Sequence, residues 1–314
     1  MREYDVFGVG SALVDFLVEI DDDEFLEFSL EKGNFHLVDE MRSKEILEKL
    51  KHKDIKIDAG GSAANTIAGV AFLGGKSVFY GNVGEDEQSL VFEQKNKEAG
   101  VRSVLGKSKG MTGYAITFIT PDSQRTFATN LGASLALKED DSVKDLIAKS
   151  RIVHLEGYQL EDENLRKVSL FAMKAAKENG CLVSIDLADP GLIERNLSDL
   201  RKIIKEFADI VFVNEEEAKA FTGREEKEAL EELSKFCDYA VVKLGEKGSL
   251  IKHDGKVYRV GAIRTDAVDT TGAGDMYAAG ILYGIARGLS LDEAGKIASE
   301  NSAKVVSQIG ARLK

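Results

Sequence analysis

The chain has 314 residues, 43% of them hydrophobic and 31% charged, and a formal net charge of -12. That supplies apolar material for a sizeable core, in one large domain or two small ones, while the acidic balance argues against sequence-independent nucleic-acid binding, which needs a surplus of Lys and Arg. No apolar stretch is long enough to span a bilayer, the N-terminus has no signal-peptide pattern, and Cys181 and Cys237 stand far apart with no ligand spacing; the expected compartment is the cytoplasm and the expected thiols are free.

In chain order, Tyr4 to Gly10 is a short apolar strand ending in glycines. Leu13 to Ile20 follows as a strand in which Val14, Phe16 and Val18 alternate with Asp15, Leu17 and Glu19, and Asn34 to Val38 is a further short one. Gly60 to Gly74 is rich in small and apolar residues and closes on Gly74-Gly75. It reads as a glycine turn opening a tightly packed helix. Ser77 to Val83 is the next strand. Tyr114 to Thr120 and Thr126 to Asn130 flank Pro121-Asp122-Ser123-Gln124, a turn whose proline presets the first dihedral, and so form a hairpin. Ile152 to Leu155, Leu182 to Asp186, Ile210 to Asn214 and Tyr239 to Leu244 read as buried strands, with helices such as Asn164 to Asn179 and Glu215 to Phe221 between them. This alternation implies an α/β fold, a mostly parallel sheet with helices on both faces. The hairpin does not fit it. A second, smaller sheet is expected from about 12–40 and 110–131, within one continuous domain, 1–314.

The run Asp269-Thr270-Thr271-Gly272-Ala273-Gly274-Asp275 carries the most chemistry. Two glycines around an alanine let the backbone bend and approach a ligand, and a helix then begins. Amides at a helix start lack intrahelical acceptors and form an anion site. A carboxylate there, Asp275, is useful if it takes a proton from a hydroxyl attacking a phosphoryl group; the bland alternative is a helix cap behind a turn.

This run resembles the second signature of the ribokinase-like (PfkB) family of carbohydrate and nucleoside kinases, and Gly60-Gly61-Ser62-Ala63-Ala64-Asn65 resembles its first. Asn214-Glu215-Glu216-Glu217 and Lys243-Leu244-Gly245-Glu246-Lys247-Gly248 extend the resemblance over nearly the whole chain. The resemblance implies a ribokinase-like fold with a small β-sheet lid and an ATP-dependent kinase. It implies Asp275 as catalytic base and Gly272, Ala273 and Gly274 as an anion hole. It implies that Asp15, Gly60, Gly61 and Asn65 hold the acceptor's hydroxyls. Asn214, Lys243, Gly245, Gly248 and Asn301 fall on ATP-binding positions, and Arg125 where relatives carry an arginine that swings toward the phosphates; a surface pair with Asp122 is the alternative for Arg125. Glu217 would order a water around the nucleotide's Mg2+, although these acids equally suit the first turn of a helix. Asp269 and Thr271 match positions that bind a monovalent cation such as K+ in some relatives. The expected partners are ATP and a sugar or nucleoside, in a monomer or homodimer.

Several local strings, among them Ser11 to Asp15, Leu30 to Leu37, Arg125 to Gly132 and Leu155 to Tyr158, resemble the bacterial adenosine-kinase-like branch. Phe35, Leu37 and Leu131 fall near positions that enclose a nucleobase there. One departure keeps a free-sugar kinase open: Gly191 follows Pro190 where adenosine kinases place an aromatic. Other signals are set aside. Gly69 to Ser77 has the wrong spacing for a P-loop, Leu13 stands where a dinucleotide fingerprint needs its third glycine, and His154 reads as a satisfied core histidine.

Overall fold

The structure, a computed structural model, describes residues 2–122 and 124–313. Fourteen strands form two sheets among the described residues. They are β1 (Tyr4–Val9), β2 (Leu13–Glu19), β3 (Phe35–Leu37), β4 (Lys56–Gly60), β5 (Ser77–Gly84), β6 (Arg102–Ser108) and β7 (Gly113–Ile119), then β8 (Arg125–Asn130), β9 (Ser150–Glu156), β10 (Leu182–Asp186), β11 (Ile210–Asn214), β12 (Tyr239–Lys243), β13 (Ser249–His253) and β14 (Lys256–Val260).

The large sheet runs β14-β13-β12-β11-β10-β9-β1-β5-β6. Every pair from β12 to β6 is parallel, and β13 and β14 add antiparallel neighbours at one edge. Its strands read as continuous apolar runs because both faces are covered. In β1, Val6 joins the core on one face and Phe7 the core on the other. The helices Ser62–Phe72 and Ala273–Arg287 pack on the Val6 side, and Glu163–Glu178 and Pro190–Phe207 on the Phe7 side.

Small residues bring the first two of these helices close: a Cβ on Gly69 would lie 2.7 Å from the Ala279 Cβ. The Pro190–Phe207 helix starts where its sequence says it should. Pro190 occupies the first turn, and the Asp189 carboxylate accepts from the Leu192 amide at 2.6 Å.

The small sheet runs β3-β8-β7-β2-β4. The β7–β8 hairpin is as expected, but Lys56–Gly60 also joins, antiparallel to β2. The alternation in β2 sorts its faces. Asp15 looks into the space between the sheets, while Phe16 meets Tyr114 with ring centroids 5.5 Å apart on the other side. That other side is covered by the helix Asp22–Phe25 with the 3-10 turn Leu26–Phe28 after it and by the helix Glu40–Lys49 with its cap Leu50, through Phe25, Phe28, Ile46 and Leu50. Fully burying one such phenylalanine stabilises by roughly 1.5–3 kcal/mol.

His154 is buried as expected but is only half satisfied. Nδ1 meets the Ser184 hydroxyl at 2.9 Å and Nε2 has no partner, so burial pushes its pKa down to about 4 and keeps the ring neutral. No helix among the described residues is long and apolar enough to cross a membrane.

Candidate active site

Strands of the large sheet deliver polar side chains at their carboxyl ends. β9 ends in Glu156, β10 in Asp186, β11 in Asn214 and β12 in Lys243. β1 lies between β5 and β9, so the strand order reverses there, and a parallel sheet opens a crevice at such a switch point. The small sheet borders the same crevice. Together they bound a cleft of about 1560 Å³. One small ligand usually occupies ~300–1,000 Å³, so the cleft has room for two.

Most of the residues expected from the sequence meet here. Asp15, Gly61 and Asn65 line the cleft, as do Phe35, Leu37 and Leu131. So do Asn214, Glu217, Lys243 and Gly245, and Arg125 with Thr271, Gly272, Gly274 and Asp275. Gly60 lies behind the wall, under Asp15: a Cβ on it would sit 2.1 Å from Asp15 Oδ1. Gly248 sits in a turn at φ +93, and Asp269 and Ala273 are not among the residues that line the cleft. Asn301 does not reach the cleft. Its amide is used within its own packed helix, donating to the Ile297 carbonyl at 2.8 Å and accepting from Lys304 at 3.1 Å.

Asp275 is the third residue of the helix Ala273–Arg287, which starts after Gly272 at φ +77. Only a glycine suits that turn, because a Cβ would also strike Ala311 at 2.6 Å. The Asp275 carboxylate accepts from the Ser62 hydroxyl at 2.8 Å and from the Asn65 amide nitrogen at 3.0 Å. The amides at this helix start, with the helix dipole, favour an anion, and the Ala273 amide donates to the Thr270 carbonyl at 3.2 Å. Lys243 Nζ overhangs this site, 3.3 Å from where a Gly274 Cβ would be, and pairs with Asp186 at 2.6 Å.

Burial dominates the electrostatics of the cleft. It raises the pKa of Asp275 against the bonds from Asn65 and Ser62. It pushes Asp15 up to about 7, with the Arg312 guanidinium opposing, and Glu156 up to about 8, with Asp275 adding repulsion. A carboxyl poised near neutrality can donate to a hydroxyl as well as accept from one. Burial alone would discharge Lys243, but Asp186 and Glu217 outweigh it and hold the ammonium charged.

Asn214 and Glu217 close a capping box: Glu217 Oε2 accepts the Asn214 amide at 2.8 Å, and Asn214 Oδ1 accepts the Glu217 amide at 2.8 Å. Arg125 does not pair with Asp122, which binds Lys32 at 2.8 Å. Its Nε instead donates to Asp269 Oδ1 at 2.9 Å and its Nη2 to the Val268 carbonyl at 2.8 Å. The Thr271 and Gly310 amides also donate to that carboxylate, at 2.8 and 2.9 Å. Burial raises the Asp269 carboxyl, but these amides and Arg125 outweigh it and hold it low.

Ser62, Glu156, Tyr158 and Arg312 belong to the site although the sequence does not single them out. Ser62 and Glu156 sit inside strings that resemble the family. Arg312 carries no local signal at all.

A helix start that favours an anion, a carboxylate in its first turn lining the cleft, and room for two ligands fit a phosphoryl-transfer enzyme. The chain matches the model described as pfkB family carbohydrate kinase over residues 38–314 and belongs to that family. It is an ATP-dependent sugar or nucleoside kinase. It is similar in structure to a probable sugar kinase from Rhizobium etli CFN 42, with TM-score 0.93, 32% identity, and 99% of this chain and 96% of that one covered. The adenosine kinase from Sinorhizobium meliloti matches with TM-score 0.92 and 33% identity, over 99% and 96%. The protein named probable fructokinase-5 from Arabidopsis thaliana is 33% identical over 76% of this chain and 77% of its own length.

Proposed function

We propose that the chain transfers the γ-phosphoryl group of ATP to the primary hydroxyl of a nucleoside, with adenosine favoured. The observation that carries the acceptor assignment is the pair Phe35 and Tyr158. The two rings line the cleft, stacked at 5.1 Å between centroids and 30° between planes. A flat base is held by the faces of such rings. The likeness to the Sinorhizobium adenosine kinase supports the same reading.

In the proposed mechanism Asp15 and Asn65 hold the ribose hydroxyls and Asp275 takes the proton from the attacking one. The amides of Gly272, Ala273 and Gly274, with Lys243, stabilise charge on the transferred group. Arg125 moves from Asp269 to the phosphates as the small sheet closes like a lid and excludes water. Mg2+ would neutralise phosphate charge, held through water by Glu217. Glu217 fits this role because its carboxylate lines the cleft and keeps lone pairs beyond the two bonds from Asn214. Asp269 and Thr271 would hold a monovalent cation through the lone pair the carboxylate keeps beyond its three bonds and through the buried Thr271 hydroxyl, which has no partner among the described residues. Free thiols at Cys181 and Cys237 agree with a cytoplasmic location. A monomer is proposed on the covered outer face of the small sheet.

A free-sugar acceptor is the second reading, favoured by Gly191 after Pro190 and by the fructokinase relative. A panel of adenosine, inosine, cytidine, ribose and fructose with Mg-ATP, read by ADP release, separates the two. Preferred turnover of adenosine is expected. Turnover confined to ribose or fructose would remove the base-stacking role of Phe35 and Tyr158.

A further inference from the structure

The last residues of the described chain run beneath both halves of the site. The Gly310 amide holds Asp269, and Ala311 fills the space against Gly272. Arg312 then turns inward and is buried. Its Nε donates to Asn65 Oδ1 at 2.9 Å, its Nη1 to Asn96 Oδ1 at 2.8 Å and its Nη2 to the Gly60 carbonyl at 3.5 Å.

We propose that Arg312 is a positioning residue for phosphoryl transfer, fixing which way the Asn65 amide faces and through it the Asp275 carboxylate. A guanidinium has donors and no acceptor. It can therefore face only the oxygen of the Asn65 amide, and this puts the Asn65 nitrogen toward Asp275 Oδ2. Turned over, the amide would set its nitrogen against the guanidinium and its oxygen against the carboxylate, two repulsive contacts at once. Asn96 holds the guanidinium's outer edge and is itself tied to the Ser103 hydroxyl at 3.1 Å. The same positive charge stands against Asp15, Asp58 and Asp275. The chain's end is thus bonded to the acceptor turn at Gly60 and, through Asn65, to the base.

This inference rests on the proposed roles of Asn65 and Asp275, and Asp275→Asn, which bears on those roles alone, serves as the separate control. The test measures kcat and both KM values, with whichever acceptor is turned over, for Arg312→Met, Arg312→Lys and Asn65→Ala, and for Arg312→Met combined with Asn65→Ala. Methionine keeps much of the stem's volume without a donor, and lysine restores one donor and the charge. A misplaced catalytic group costs up to about 100-fold. The expected result for Arg312→Met is a kcat lower by roughly 10- to 100-fold with the KM for ATP little changed, and partial recovery in Arg312→Lys. On the Asn65→Ala background the arginine change should cost little more, because coupled residues are not additive. An equal loss on both backgrounds, a parental kcat in Arg312→Met, or a failure of Arg312→Met and Arg312→Lys to fold would overturn the positioning role.

Discussion

Asp15 shows what single residues contribute and what they cost. Its carboxyl titrates near 7 in the fold against 3.8 for an ordinary aspartate, chiefly because it is buried. Above pH 4 the unfolded chain therefore gives up this proton while the folded chain keeps it. The stability associated with Asp15 is fully present below about pH 4 and lost as pH rises through 7. Asp15→Asn should match the parent at pH 4 and exceed it at pH 8, by roughly 1–4 kcal/mol in urea unfolding, while binding acceptor more weakly. A variant less stable than the parent at pH 8, relative to pH 4, would contradict this. The sequence exposes Asp15, Asn65 and Asp275 because each stands in a motif. It hides Arg312, whose meaning comes from lying against Asn65, a residue 247 positions away. Nothing in the sequence marks Asp186 as the partner of Lys243, 57 positions away, which it is in the fold.

At the scale of elements, the loop from Asp269 to Asp275 depends on its neighbours as much as on its glycines. Gly272→Ala would force a left-handed residue to carry a side chain and push Ala311 away. The expected cost is about 1–3 kcal/mol from the backbone alone, with a drop in kcat as the helix start shifts; urea unfolding and steady-state kinetics check it. An unchanged midpoint and kcat would remove the tail from the account. Buried strands and the Pro121 hairpin were legible because their apolar and turn patterns are strong. The strand Lys56–Gly60 was not, since KIDAG is half polar and gains its place only by pairing with β2. The helix Glu87–Glu98 was missed for a related reason: its apolar residues are too few to mark a face. The β13–β14 hairpin did carry a signal, Asp254-Gly255, both at positive φ as a two-residue hairpin turn requires.

Taken whole, the molecule places one cleft between two sheets with different jobs. The large sheet carries Glu156, Asp186, Asn214 and Lys243 at the ends of parallel strands, and the helix bearing Asp275 packs on it. The small sheet supplies Asp15 and Phe35, and reaches the catalytic loop through Arg125 on Asp269. Its outer face is already covered by Phe25, Phe28, Ile46 and Leu50, which leaves little reason for a second copy to cover it. Light scattering should therefore give a mass near 34.2 kDa; twice that mass would place a dimer contact elsewhere on the surface. The parallel sheet was foreseeable from the alternation of elements, and the small second sheet from the hairpin that breaks it. Their mutual placement was not, because it depends on side chains far apart in sequence.

The proposed mechanism turns on Asp275 as the base, held by Ser62 and Asn65. The most direct measurement is kcat for Asp275→Asn alongside calorimetric affinities for acceptor and ATP. General-base removal typically costs ~10²–10⁴ in rate. The expected result is a loss in that range with both affinities within a few-fold of the parent. A kcat near the parental value would contradict it.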